Sequence, residues 1–313
     1  MEARRGPATS ANEGAWVQQE HEFDGIIDGL SVDVEDYFQV EAFAHRVPRS
    51  QWSAFPSRVR QNTERALRLL ERNRCRATFF ILGWVAEREP SLMHDIVQAG
   101  HEVGCHSHLH RRVHTLTPAE FREDVKRARG AIEDAAGVKV AGFRAPTFSI
   151  TRESLWALEI LAELGFTYDS SIFPVRHDLY GIPDAPRGIH QRRLASGQMI
   201  WEVPPSTVQL AGQNLPAAGG GYLRVLPLSF TRWAIRRIHR RERRPVIIYF
   251  HPWELDPEQP RLQAGWKSRV RHYTGLQKTE ARLDKILAEG RFRPLLEMLQ
   301  REEQPASYAQ AGS

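Results

Sequence analysis

His101-Glu102-Val103-Gly104-Cys105-His106-Ser107-His108-Leu109-His110 reads as a short strand running directly into a histidine pair. Segments of the same kind flank it. Upstream, Gly29 to Val34 is an apolar strand that ends among Asp33, Glu35 and Asp36, and Ala77 to Leu82 is a second one. Downstream, Val138 to Phe143 leads to Arg144, Phe166 leads to Asp169, and Val246 to Phe250 ends on His251. Helical signals separate the strands. Arg58 to Arg72 is apolar at Val59, Ala66, Leu67, Leu69 and Leu70, a rough helical period. Glu89-Pro90-Ser91 opens a helix that stops at Gly100, with proline at its start and glycine at its end. Thr117-Pro118-Ala119-Glu120 is a capping box for a helix reaching about Gly137, and Thr151 caps another that ends at Gly165. Strands alternating with helices through short loops imply parallel pairing, in a doubly wound sheet or a barrel. Chemistry-bearing side chains at strand C-termini favour a barrel with one site at its mouth.

The rest of the chain bounds this reading. A chain of 313 residues with 41% hydrophobic and 26% charged side chains suits one large α/β unit. The net charge of +5 fits acidic partners, an anionic membrane surface among them. The dense run Arg236 to Arg244 reads first as a solvated helix end, and no nucleic-acid-binding motif accompanies it. Cys75 and Cys105 form no CxxC pair and no disulfide framework, which suits a reducing compartment. Residues 1–25 are polar, without an apolar core of signal-peptide length, and no stretch approaches the ~18 apolar residues of a membrane span. A cytoplasmic location is therefore expected, with flexible tails at 1–25 and 304–313. From Tyr180 to Tyr222 prolines break the rhythm, and Ile200-Trp201-Glu202-Val203 is a further strand. Gly219-Gly220-Gly221 is either a flexible loop or a place where backbone comes close to a ligand.

The chemistry follows from residue types. His106 and His110, four apart, reach one point if a helical turn carries them. His101-Glu102 does not start the H-E-x-x-H of a zincin, because the next histidine comes one residue late and the segment reads as strand. His108 and His114 lack a partner at useful spacing and read as surface residues. Two imidazoles and a carboxylate hold one divalent metal and leave positions open for water and substrate. A second carboxylate and a further histidine then serve as base and acid. Arg144 is a surface ion pair or a clamp on the base, and Asp169 is placed to orient the acid histidine.

Five segments in this order resemble the NodB-type polysaccharide deacetylases, carbohydrate esterase family four. They are Ser31-Val32-Asp33-Val34-Glu35-Asp36, His106-Ser107-His108-Leu109-His110, Arg144-Ala145-Pro146, Tyr168-Asp169-Ser170 and Tyr249-Phe250-His251. A closer resemblance is to the deacetylases of exosortase loci for exopolysaccharides. It rests on the continuation Tyr37-Phe38-Gln39-Val40, on Asp169-Ser170-Ser171-Ile172-Phe173-Pro174, on Gly219-Gly220-Gly221-Tyr222, on Phe250-His251-Pro252-Trp253-Glu254 and on Arg271-His272-Tyr273.

The resemblance implies a distorted (β/α) barrel with fewer than eight repeats. It implies a deacetylase domain over 26–255 and a C-terminal extension over 256–303 packed on it. It also implies one divalent metal ion, zinc being expected, and removal of acetyl from N-acetylhexosamine units of an exopolysaccharide or its lipid-linked precursor. Carried over to this chain, Asp33 is the base, His106 and His110 are metal ligands, and Arg144 orients Asp33. His251 is the acid and Asp169 orients it. Backbone N–H groups after Arg144-Ala145-Pro146 would help hold the oxyanion. The usual first motif has two adjacent aspartates, whereas Val34 follows Asp33 here, so the carboxylate ligand is Glu35 or Asp36. The aromatic of the fourth motif is missing, which leaves Trp253 or Tyr222 to stack on a sugar. Peripheral contact with an anionic inner membrane face through Arg236 to Arg244 would bring the protein to a lipid-linked substrate. A ureide or cyclic-amide hydrolase and a carbohydrate-binding pseudoenzyme are the rival readings. The intact histidine pair and the full set of acid, base and ligand types argue against both.

Overall fold

The computed structural model describes residues 26–217, 219–263 and 265–303. The tails expected at 1–25 and 304–313 lie outside the described residues. The first half alternates strand and helix: β1 (Asp28–Val34), α1 (Val59–Arg72), β2 (Thr78–Ile81), α2 (Gly83–Arg88), α3 (Pro90–Gln98), β3 (Glu102–Cys105), α4 (Pro118–Ala136), β4 (Gly142–Phe143), α5 (Trp156–Glu163) and β5 (Tyr168–Asp169). The second half is less regular. It holds β6 (His190–Arg193), β7 (Met199–Glu202), the hairpin β8 (Thr207–Leu210) and β9 (Gln213–Pro216), α6 (Gly221–Val225), α7 (Leu228–Arg237), β10 (Ile247–Phe250), α8 (Trp266–Tyr273), α9 (Leu276–Glu289), β11 (Phe292–Arg293) and α10 (Leu295–Glu302).

One curled sheet runs in the order β10-β1-β2-β3-β4-β5-β7-β6, with β11 beside the start of β1. All its pairings are parallel except β6 with β7. β1 and β2 are buried along their whole length, as central strands of a parallel sheet are, and the polar residues they carry, Asp28, Ser31, Asp33 and Thr78, are buried with them. The strands do not close into a ladder, and irregular backbone bridges the gap instead. Four residues after β7, Ser206 donates its N–H to Ile247 of β10 and accepts the Ile247 N–H on its hydroxyl. Gly219 and Gly220 cover the next stretch of β10. A Cβ on Gly219 would lie 1.8 Å from the Tyr249 carbonyl oxygen, and its φ is +144°. The glycine run thus allows close approach to a strand, where the sequence offered a ligand or a loose loop.

Local chemistry explains most element ends. The Thr117–Glu120 capping box starts α4, and Gly137 ends it at φ +69°. The strand expected from Val138 is only two residues long, because the Val140 N–H is taken up by the Glu133 carboxylate. The helix expected from Thr151 begins as a short tight turn over Arg152–Ser154 before α5. The chain beyond 256 lies against the barrel. Arg65 and Arg72 of α1 pair with Glu280 of α9, Thr78 accepts the Leu295 N–H and Glu102 the Leu296 N–H at the start of α10. No helix among the described residues is long and apolar enough to cross a membrane.

Candidate active site

The parallel register carries Asp33, His106, Arg144, Asp169 and His251 to the C-terminal ends of β1, β3, β4, β5 and β10. All but His251 are buried, and its side chain is 18% exposed, so the site opens to solvent beside that imidazole.

Glu35, His106 and His110 each turn a ligand-type atom to one place, with these atoms all within 4.8 Å of one another. The expected helical turn is absent. Ser107 and His110 instead adopt positive φ, at +65° and +51°, and the Ser107 hydroxyl accepts the His110 N–H at 3.1 Å. This kinked loop aims both rings inward, with centroids 5.4 Å apart. The His106 Nδ1 lies 2.8 Å from the Arg144 carbonyl oxygen, which can only accept, so Nδ1 donates and Nε2 is left for a ligand. Burial drives the His106 pKa down to about 4, giving the neutral imidazole that a metal requires. Burial would raise Glu35, but His110 and His251 together bring it down to about 2.

The donor set fits a divalent ion. Glu35 Oε2 lies 2.8 Å from His110 Nε2, yet it makes no hydrogen bond of acceptable geometry and stays orphaned in a buried place. Two imidazoles and a carboxylate oxygen converging without bonding one another is the arrangement of a ligand set. Trp253 Nε1–H donates to the other Glu35 oxygen at 3.3 Å, an outer contact that orients the carboxylate.

Asp36, the other candidate ligand, is turned away. Its oxygens accept the N–H groups of Tyr37, Arg58 and Val59 and the hydroxyl of Ser57, so it caps α1. Glu35 alone of the two faces the histidines.

Arg144 is fully buried and reaches Asp33. Its Nη1 donates to Asp33 Oδ1 at 2.8 Å and to the Ser31 hydroxyl at 2.6 Å, while Nε and Nη2 donate to the Ser170 carbonyl and hydroxyl. The surface-pair alternative for this arginine is therefore excluded. His251 stands across from Asp33, its Nε2 3.9 Å from Asp33 Oδ2 and 3.3 Å from Glu35 Oε1.

Asp169 does not orient His251. Its two oxygens accept the Ser171 hydroxyl and N–H, and it lies against Glu202, where burial raises both carboxyls. Ser171 in turn accepts the Ala145 N–H at 2.7 Å, so Asp169 braces the Arg144-Ala145-Pro146 loop. The partner of the His251 Nδ1 is Glu254, at 3.1 Å. The signal for it was an acid three residues after the histidine across Pro252, a capping-box spacing.

Two further expectations change. His108 is buried, with its N–H on Asp124 at the inner face of α4. Trp253 is 4% exposed and lies between the rings of His251 and His272, so it offers no face to a sugar.

A family model described as polysaccharide deacetylase matches residues 48–168. The chain carries a polysaccharide deacetylase domain. A second model, described as a domain of unknown function (DUF3473), matches residues 170–300 of the same barrel. The deacetylase domain is 30% identical over 98 residues to a peptidoglycan-N-acetylglucosamine deacetylase of Bacillus cereus, covering 31% of this chain and 36% of that protein. A peptidoglycan deacetylase-like protein FGM2 of Gibberella zeae is 28% identical over 171 residues, covering 54% of this chain and 49% of that protein. The chain thus spans half or less of the length of these curated relatives. A Mycobacterium smegmatis protein ascribed to the polysaccharide deacetylases has the same fold, with a TM-score of 0.61 at 18% identity over 94% of both chains.

Proposed function

We propose that the protein is a metal-dependent deacetylase that removes acetyl from N-acetylated amino-sugar units. The observation that carries this reading is the opposition of Asp33 and His251, 3.9 Å apart, beside the converging Glu35, His106 and His110. Glu35 Oε2, His106 Nε2 and His110 Nε2 would hold one divalent ion, zinc by the chemistry of the set. When bound, such an ion polarises an acetyl carbonyl and lowers the pKa of a coordinated water. Asp33, fixed by Arg144, accepts the proton of the attacking water. His251 delivers a proton from Nε2 to the amide nitrogen as the C–N bond breaks. Acetate and a free amine result. Amines leave poorly without that proton, which is why a base alone does not suffice.

Residues 26–255 would form the catalytic unit and 256–303 an extension buttressing it. The proposed polymer is an exopolysaccharide or its lipid-linked precursor, supported by the first-motif run Ser31 to Val40 and by the Phe250 to Glu254 segment. Of the run Arg236 to Arg244, Arg236, Arg240, Arg241 and Arg243 are exposed, and others are engaged within the fold. His239 is buried against Asp28, and Arg244 is bound to Glu242 and to the carbonyls of Arg187 and Thr207. The test is a mass measurement on oligosaccharides carrying either N-acetyl or O-acetyl groups, treated with zinc-loaded protein. Loss of acetyl from the N-acetylated oligomers supports the reading. Loss from the O-acetylated set alone would make the protein an esterase of other specificity.

A further inference from the structure

We infer that Glu254 and Arg224 are positioning residues for His251, so that the 170–300 region of unassigned function builds the acid half of the site. The inference rests on the deacetylase reading above. His106, His110 and Arg144 lie in the segment that matches the deacetylase family, whereas His251, Glu254 and Arg224 lie in the other.

The contacts form an unbroken chain. Glu254 Oε2 accepts both the backbone N–H of His251, at 2.9 Å, and its Nδ1–H, at 3.1 Å. A carboxylate on Nδ1 fixes the tautomer and turns Nε2 toward Asp33 and Glu35. The second oxygen of Glu254 accepts from Arg224 Nε at 2.6 Å. Glu254 is 1% exposed and Arg224 4%, so neither ion is compensated by water. Arg224 is itself held by carbonyls: Nη1 donates to His272 and Thr274, Nη2 to Arg271. That collar is the C-terminal end of α8 and the turn that follows it. The ring of Trp253, stacked on His251 on one side and on His272 on the other, prevents the imidazole from rotating away.

Chemically, the relay matters only when a proton must reach the leaving group. The C–N electron pair departs with nitrogen, and the proton on His251 Nε2 neutralises it. A phenolate leaves an aryl acetate without that proton. The test compares the two leaving groups in Glu254→Gln with metal content measured in parallel. We expect kcat on N-acetylglucosamine oligomers to fall about 10²-fold, KM to hold, and the fall on 4-nitrophenyl acetate to be at least ten times smaller. Equal losses on both substrates, or no loss on the amide, would overturn the inference. Should Glu254→Gln fail to fold, ¹⁵N NMR of the native protein decides. A protonated Nδ1 on His251 supports the relay, and a neutral ring protonated only at Nε2 contradicts it. Native protein that releases acetate from neither substrate would instead overturn the deacetylase reading, while the NMR result still judges the geometry.

Discussion

Arg144 Nη1 and Asp33 Oδ1 meet at 2.8 Å with both side chains closed to solvent. A buried arginine with four hydrogen-bonded oxygens around it fixes one position for the carboxylate. Removing it leaves a buried charge uncompensated, which typically costs about 3–5 kcal/mol.

Arg144→Lys should therefore keep the metal and lose turnover. A lysine has no fork with which to reach Asp33, Ser31 and Ser170 together. The expected fall in kcat is about 10²-fold, read by steady-state kinetics beside metal analysis. A variant of native turnover would show that the clamp has no bearing on the base.

Glu35→Gln and Asp36→Asn should separate cleanly. Glu35→Gln is expected to lose bound metal. Asp36→Asn is expected to keep it and to lose about 1 kcal/mol of stability as the cap of α1 weakens. Elemental analysis and denaturant melts read both. Metal loss in Asp36→Asn alone would reverse the assignment.

Both residues follow β1 directly, and nothing local distinguishes them. What decides is the start of α1, about twenty residues on, whose free N–H groups draw Asp36 aside. Strand ends were legible because parallel buried strands leave apolar runs, and polar residues close those of β1, β3, β4 and β10 at the site. His106 and His110 were legible as a pair, but not the kinked loop that aims them, since positive φ at Ser107 and His110 leaves no mark on residue type. Asp169 looked like the partner of His251 because both end strands. Asp169 instead gives both oxygens to Ser171, two residues on, while Glu254 is three residues from the histidine and reaches its Nδ1. His108 was misread as a surface residue because its burial depends on α4, which supplies Asp124 from sixteen residues away.

Trp253→Phe should weaken metal binding. The ring still fills the space between His251 and His272, but the N–H to Glu35 is gone. Loss of an outer-sphere contact of this kind lowers metal affinity by roughly 10-fold or more. Chelator competition measures it, and unchanged affinity would remove Trp253 from the account.

Stability should fall on mild acidification. Burial lowers the pKa of His101 to about 4 and of His272 to about 3, so both are neutral in the fold. Above the unfolded value of about 6.5 their contribution is complete. Below it the unfolded chain binds protons that the folded chain refuses, so stability drops as pH falls toward 4. Each group contributes up to about 1.4 kcal/mol per pH unit. In His272→Gln the slope between pH 6.5 and 4.5 should be shallower than in the native protein. Parallel curves from urea melts would count against a neutral buried His272.

The most direct measurement is acetate and free-amine release from an N-acetylglucosamine oligomer by zinc-loaded protein, repeated after chelation and with His106→Ala. The account predicts equal amounts of acetate and amine from the native protein, abolished by chelation, restored by metal, and absent in His106→Ala. Undiminished release from the chelated protein or from His106→Ala would contradict it.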